Sequence, residues 1–182
     1  MYSSFFKFGF ILFIFFRLKV VAHEEQDKLE LSPVFSDHMV LQQKTKVAFW
    51  GKSKPTDLIT VTGSWSENNS VLADEKGNWE LKLLTPSAGG PFEVEIKTSH
   101  QSIKYRDVLI GEVWLASGQS NMGMTLNPSG DYIENQDNEI SKALYNAIRF
   151  FSVLEDLTGE SLKEQKWVIT TPGNATKFSA AA

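Results

Sequence analysis

The sequence contains no cysteine. Disulfides, thiol nucleophiles and cysteine metal sites are therefore excluded, and stability must come from packing alone, even in an oxidising compartment. Histidine is scarce: His23, His38 and His100 are the only three. They are too scattered to suggest a shared metal site, so no metal and no cofactor is expected. Basic runs are missing as well. The 18 basic and 22 acidic residues are mixed along the chain, for a formal charge of -4. Without a basic run or an arginine–aromatic alternation to attract a phosphate backbone, nucleic acid is not an expected partner. A long apolar run is the last absence. Phe8 to Phe16 is interrupted by Arg17 and Lys19, well short of the roughly 20 residues that span a bilayer.

What that short run does resemble is a secretory signal. Lys7 precedes it, and the small or β-branched residues Val20-Val21-Ala22 follow the charged pair. Residues 1–22 are read as a signal peptide cleaved after Ala22, with a membrane anchor as the alternative. A secreted or lysosomal destination follows, with no membrane contact after cleavage. Two N-x-S/T sequons, at Asn68 and Asn174, fit a secreted glycoprotein, whereas Asn127-Pro128-Ser129 fails the proline exclusion.

The whole sequence is 42% hydrophobic and 12% aromatic, and the residues after 22 carry enough of this apolar material for a core. From Lys28 to about Arg106 the pattern has a period of two. Ile59 and Val61 alternate with Thr60 and Thr62; Trp79, Leu81 and Leu83 alternate with Glu80 and Lys82; Phe92, Val94 and Ile96 alternate with Glu93, Glu95 and Lys97. With Lys46 to Trp50 and Gln101 to Tyr105, and turn chemistry at Asp74–Asn78 and Gly89-Gly90-Pro91, this predicts an antiparallel β-sandwich over residues 23–106. Trp50, Trp65 and Trp79 could form a sugar-stacking surface on it, although core aromatics are the commoner explanation.

The pattern changes near Asp107. Val108 to Leu115 is nearly continuous in apolar residues, as in a strand buried on both faces of a parallel sheet. Asn138 to Ala147 has helical spacing, and Ile148 to Val153 reads as a further strand. Strand, loop, helix and strand predict the start of a βαβ unit. Two parallel strands cannot complete such a sheet, so residues 107–182 are expected to be an incomplete second domain. Unpaired edges would then invite proteolysis after about Arg106. Asp107 and Glu112 near the junction could be taken for a carboxylate pair, but solvated or salt-bridged roles are expected.

The chemistry-bearing stretch is Val113-Trp-Leu-Ala-Ser-Gly-Gln-Ser-Asn-Met122. Ser120 follows a strand end, where α/β folds hold their ligands, but a hydroxyl needs a base and aimed donors before it acts as a nucleophile. The G-x-S-x-G elbow is not met, since Met122 stands in place of its second glycine. On Gly118-x-Ser120 alone, a serine capping the next turn is the simpler explanation.

The longer block resembles the first sequence block of the sialate O-acetylesterase family of SGNH-type hydrolases. Phe35 to Gln42, Gly77-Asn78-Trp79, Ala88 to Phe92, Ile148 to Phe151 and Phe178-Ser179-Ala180 agree with the family in the same order. The resemblance implies a β-sandwich beside a three-layer α/β/α esterase domain. It implies Ser120 as the nucleophile on an acetyl ester of sialic acid or another acetylated sugar, with Gln119 and Asn121 as oxyanion or positioning candidates. Position 116, often cysteine in the family, is Ala116, and position 123, often glutamate, is Gly123. The family's base is a histidine in a late Asp-x-x-His block, which this sequence lacks. His38 and His100 are expected to be structural or solvated, so the chain is expected to be truncated and inactive by itself. The competing reading is a non-enzymatic secreted β-sandwich that binds carbohydrate or a partner.

Overall fold

The computed structural model describes residues 28–126, 133–153 and 165–179. The expected signal peptide, His23 and Ala180 lie outside the described residues.

Eight strands make two sheets. The first holds β1 (Glu30–Leu31), β3 (Lys46–Lys52) and β6 (Asn78–Leu84), in the antiparallel order β1-β3-β6. The second holds β2 (Val40–Gln42), β4 (Leu58–Gly63), β5 (Glu67–Leu72), β7 (Gly89–Lys97) and β8 (Ser102–Gly111), in the order β2-β8-β7-β4-β5. Alternation decides which side chains face inward. Ile59, Val61, Val94, Ile96, Val108 and Ile110 of one sheet share a single hydrophobic cluster with Phe49, Leu81 and Leu83 of the other.

Turn chemistry delivers the chain from β5 into β6, beside the end of β3. Asp74 Oδ1 accepts from the backbone N–H groups of Lys76 and Asn78, both at 2.8 Å, and these bonds hold its carboxyl below its usual range. Gly77 closes the turn at φ 79°, and a Cβ there would run into the Ser53 carbonyl oxygen. Only glycine accommodates both constraints at little cost.

The structure departs from the sequence reading in four places. The second sheet is mixed rather than antiparallel, because β2 runs parallel to β8. Polar β5 was not foreseen: it is an edge strand, exposed along Asn68–Ser70, and needs no apolar alternation. Val108 to Leu115 is not one doubly buried strand. β8 ends at Gly111 between β2 and β7, with Val108 and Ile110 in the core, while Trp114 and Leu115 are 87% and 90% exposed. The boundary expected at residue 106/107 therefore falls inside β8.

The fourth departure concerns the expected βαβ unit. The helix is shorter and earlier than Asn138–Ala147: α1 covers Gln136–Lys142. Strand β9 (Arg149–Phe150) pairs antiparallel with β10 (Val168–Ile169), not parallel with β8. A two-residue strand closes its hydrogen bonds more readily with a partner nearby in sequence than across a long crossover. The short helix α2 (Pro172–Ala175) then packs on α1. Among the described residues, no helix is long and apolar enough to cross a membrane.

Candidate active site around Ser120

The chain leaves β8 under tight control. Gln42 Nε2 and Gln43 Nε2 donate to the two oxygens of Glu112 at 2.9 and 2.6 Å, and Val113 N–H donates to Gln42 Oε1 at 2.8 Å. Those amide donors hold the Glu112 carboxyl below its usual range. Beyond this clamp, residues 112–118 run exposed and without regular structure.

Ser120 opens a one-turn 3-10 helix, Ser120–Gly123, and is exposed. Met122 N–H donates to the Gln119 carbonyl at 2.9 Å and tightens the turn. The missing Cβ at Gly118 lets Met122 close in, since a Cβ would lie 2.9 Å from Met122 Cγ. Further on, Thr125 makes a β-bridge to Ser179, and Ser179 Oγ donates to Met122 Sδ at 3.7 Å. Phe178 stacks on Phe150 with centroids 4.2 Å apart. The serine-bearing turn is thus moored to the last described segment and to β9.

Two anchors fasten β9 and β10 to the sheets. Trp167 Nε1 donates to the Val34 carbonyl at 2.8 Å. Arg149, whose side chain is 4% exposed, donates from Nη2 to Asp107 Oδ2 at 3.0 Å. The same oxygen lies 2.6 Å from His38 Nδ1. Asp107 thus holds both His38 and Arg149 through one carboxylate oxygen. His38 is therefore tied to the β8–β9 junction, a structural role as expected from the sequence.

No histidine among the described residues hydrogen-bonds Ser120. His100 sits in the turn before β8, with Ser99 Oγ 3.1 Å from Nδ1 and Asp57 Oδ2 3.6 Å from Nε2. A ten-residue strand, about 30 Å long at ~3.3 Å per residue, separates that turn from the exit towards Ser120. Asp107 and Glu112 do not act as a pair, because each has its own partners. Gln119 is exposed beside Ser120, and Asn121 follows within the same helical turn. Among the described residues, no group of three or more histidines or carboxylates could hold a metal.

The two sequons differ. Asn68 is exposed on edge strand β5. Asn174 is engaged on both sides, donating from Nδ2 to the Ile169 carbonyl at 2.6 Å and accepting from Thr171 N–H at 2.8 Å. Sequence reasoning missed Arg149 and the Asp107–His38 contact. These pairs are separated by 42 and 69 residues, so no local pattern could reveal them.

No family model matches the chain. Individual relatives do. The chain is 32% identical to the sialate O-acetylesterase of Mus musculus over 92% of its own length and 32% of the relative's. It is 35% identical to the Homo sapiens protein of the same name over 72% of this chain and 28% of that one. A crystal structure of a carbohydrate acetylesterase from Xanthomonas citri superposes with a TM-score of 0.73 at 30% identity, covering 84% of this chain and 35% of that one. The chain thus spans about a third of the length of these relatives.

Proposed function

Starting from a chain homologous to sialate O-acetylesterases over most of its own length, we propose that it carries the nucleophile-bearing portion of an esterase that removes O-acetyl groups from sugars, sialic acids among them. The carrying observation is the exposed Ser120 at the head of a tight turn that follows β8 and its irregular connector. Its Oγ would attack the acetyl carbonyl and form an ester to Ser120, while the sugar oxygen leaves with a proton. Water would then release acetate and restore the hydroxyl. Gln119 and Asn121 are positioned in sequence to donate to the oxyanion of each tetrahedral intermediate.

The finer architecture belongs to the same proposal. The two facing sheets form a β-sandwich, and residues after β8 begin an α/β/α SGNH-type esterase domain. The run at 1–22 supports entry to the secretory pathway, with a secreted or lysosomal destination. Since no described histidine hydrogen-bonds Ser120, the 182-residue chain is expected to lack turnover by itself.

The decisive experiment replaces the corresponding stretch of the mouse relative with residues 28–179 of this chain and measures acetate release from O-acetylated sialic acid. Activity in the chimera, reduced on the order of 10⁴-fold by Ser120→Ala, is the expected result. A folded chimera whose activity survives Ser120→Ala overturns the assignment.

A further inference from the structure

A groove of about 620 Å³ is lined by residues of β1, β3 and β6 and by Asp74, away from Ser120's turn in sequence. Its size falls within the about 300–1,000 Å³ typical of small-ligand clefts. Register explains its lining. Trp50 pairs with Glu80, Lys52 with Asn78 and Glu30 with Lys52, and the two-residue period puts these side chains on one face. All five are exposed.

Trp50 is 44% exposed, so one face of its indole is open to a ligand. Its ring is also fixed. Buried Phe35 meets it edge-on, with centroids 4.7 Å apart and planes at 70°. A held aromatic plate beside carboxylates, an amide and an ammonium is suited to a pyranose, whose axial C–H face stacks on the ring while its equatorial hydroxyls reach the polar groups. Glu30, Glu80 and Lys52 form no ion pair among the described residues, whereas the Asn78 amide donates to Asp74.

Charge narrows the ligand. Glu30, Glu80 and Asp74 face a single lysine, Lys52, around the groove. An acidic rim disfavours an anionic sugar and favours a neutral one. We propose that the Trp50 groove is a binding subsite for neutral pyranose residues of a glycan. This inference does not depend on Ser120 being catalytic.

The test is calorimetric titration of the 182-residue chain with N,N′,N″-triacetylchitotriose, with sialyllactose as the anionic comparison. Saturable binding of the neutral trisaccharide is expected, weakened about ten-fold by Trp50→Ala through loss of the stacked face. Glu80→Gln on the same exposed face should weaken binding several-fold without disturbing the melting curve, so a folding defect in the tryptophan variant would not decide the matter. No saturable binding, or binding unaffected by both substitutions, overturns the subsite. Sialyllactose binding as tight as the neutral sugar overturns the preference for neutral ligands.

Discussion

His38 and Asp107 stand 69 residues apart in sequence, yet Nδ1 of the first meets Oδ2 of the second at 2.6 Å. Both adopt left-handed backbone, at φ 68° and 53°. Such conformations cost non-glycine residues free energy and persist where surrounding contacts over-determine them. Here the contact is Arg149, which brings β9 onto the same carboxylate oxygen.

Arg149 makes this cluster asymmetric. Its side chain is nearly buried, but Nε and Nη1 have no partner among the described residues. Removing Asp107 would strand the buried guanidinium, so Asp107→Ala should destabilise by about 3 kcal/mol. Arg149→Met removes the charge and keeps the volume, so it should stay within about 1 kcal/mol of the native protein or exceed it. Urea unfolding of the two variants checks the order. A larger loss for Arg149→Met would mean that the guanidinium contributes more than its burial costs.

Limited proteolysis addresses the segment that presents Ser120. Glu112 is clamped by Gln42 and Gln43, whereas Trp114 and Leu115 stand almost fully exposed with no sheet partner. Chymotrypsin should cut first after Trp114 or Leu115 and leave a resistant fragment ending there. A first cut near Arg106 would contradict the pairing of β8 with both β2 and β7.

The extent of β8 shows what the sequence could convey. Alternation at Ile59/Val61, Leu81/Leu83 and Val94/Ile96 identified strands whose inner faces the structure buries, because a half-buried strand writes its two environments into every second residue. The run Val108 to Leu115 was misleading, since it joins two core residues of β8 to an exposed apolar connector and composition cannot tell core from surface. Asn68 to Ser70 left no trace of β5, because an exposed edge strand needs no apolar face. Ser120 was legible as a local block. The His38–Asp107–Arg149 cluster was not, since three distant segments make it.

Tyr105 provides a pH test. Burial, reinforced by the nearby Asp37 carboxylate, raises its hydroxyl to about 12 from 10.0. The folded state therefore favours the neutral phenol. Its contribution to stability is present below pH 10 and is lost as pH climbs from 10 to 12, where the unfolded chain ionises first. Tyr105→Phe should flatten the decline of melting temperature over that window while leaving its value at pH 7 little changed. An equal decline in both proteins would show that other groups govern alkaline unfolding.

The sequons should behave differently in a host that glycosylates secreted proteins. Asn68 presents its amide from an exposed edge strand, so Asn68→Gln should remove one glycan from the folded product. Asn174 uses Nδ2 on the Ile169 carbonyl and Oδ1 on Thr171 N–H to hold the start of α2. A glycan on that nitrogen would have to displace the packed carbonyl. Asn174→Gln should therefore leave the glycan mass unchanged but cost about 1 kcal/mol through the misplaced amide. Intact mass and thermal melting of the two variants separate these effects, and a glycan found on Asn174 of a folded, fully stable product would show that the α2 cap opens without cost.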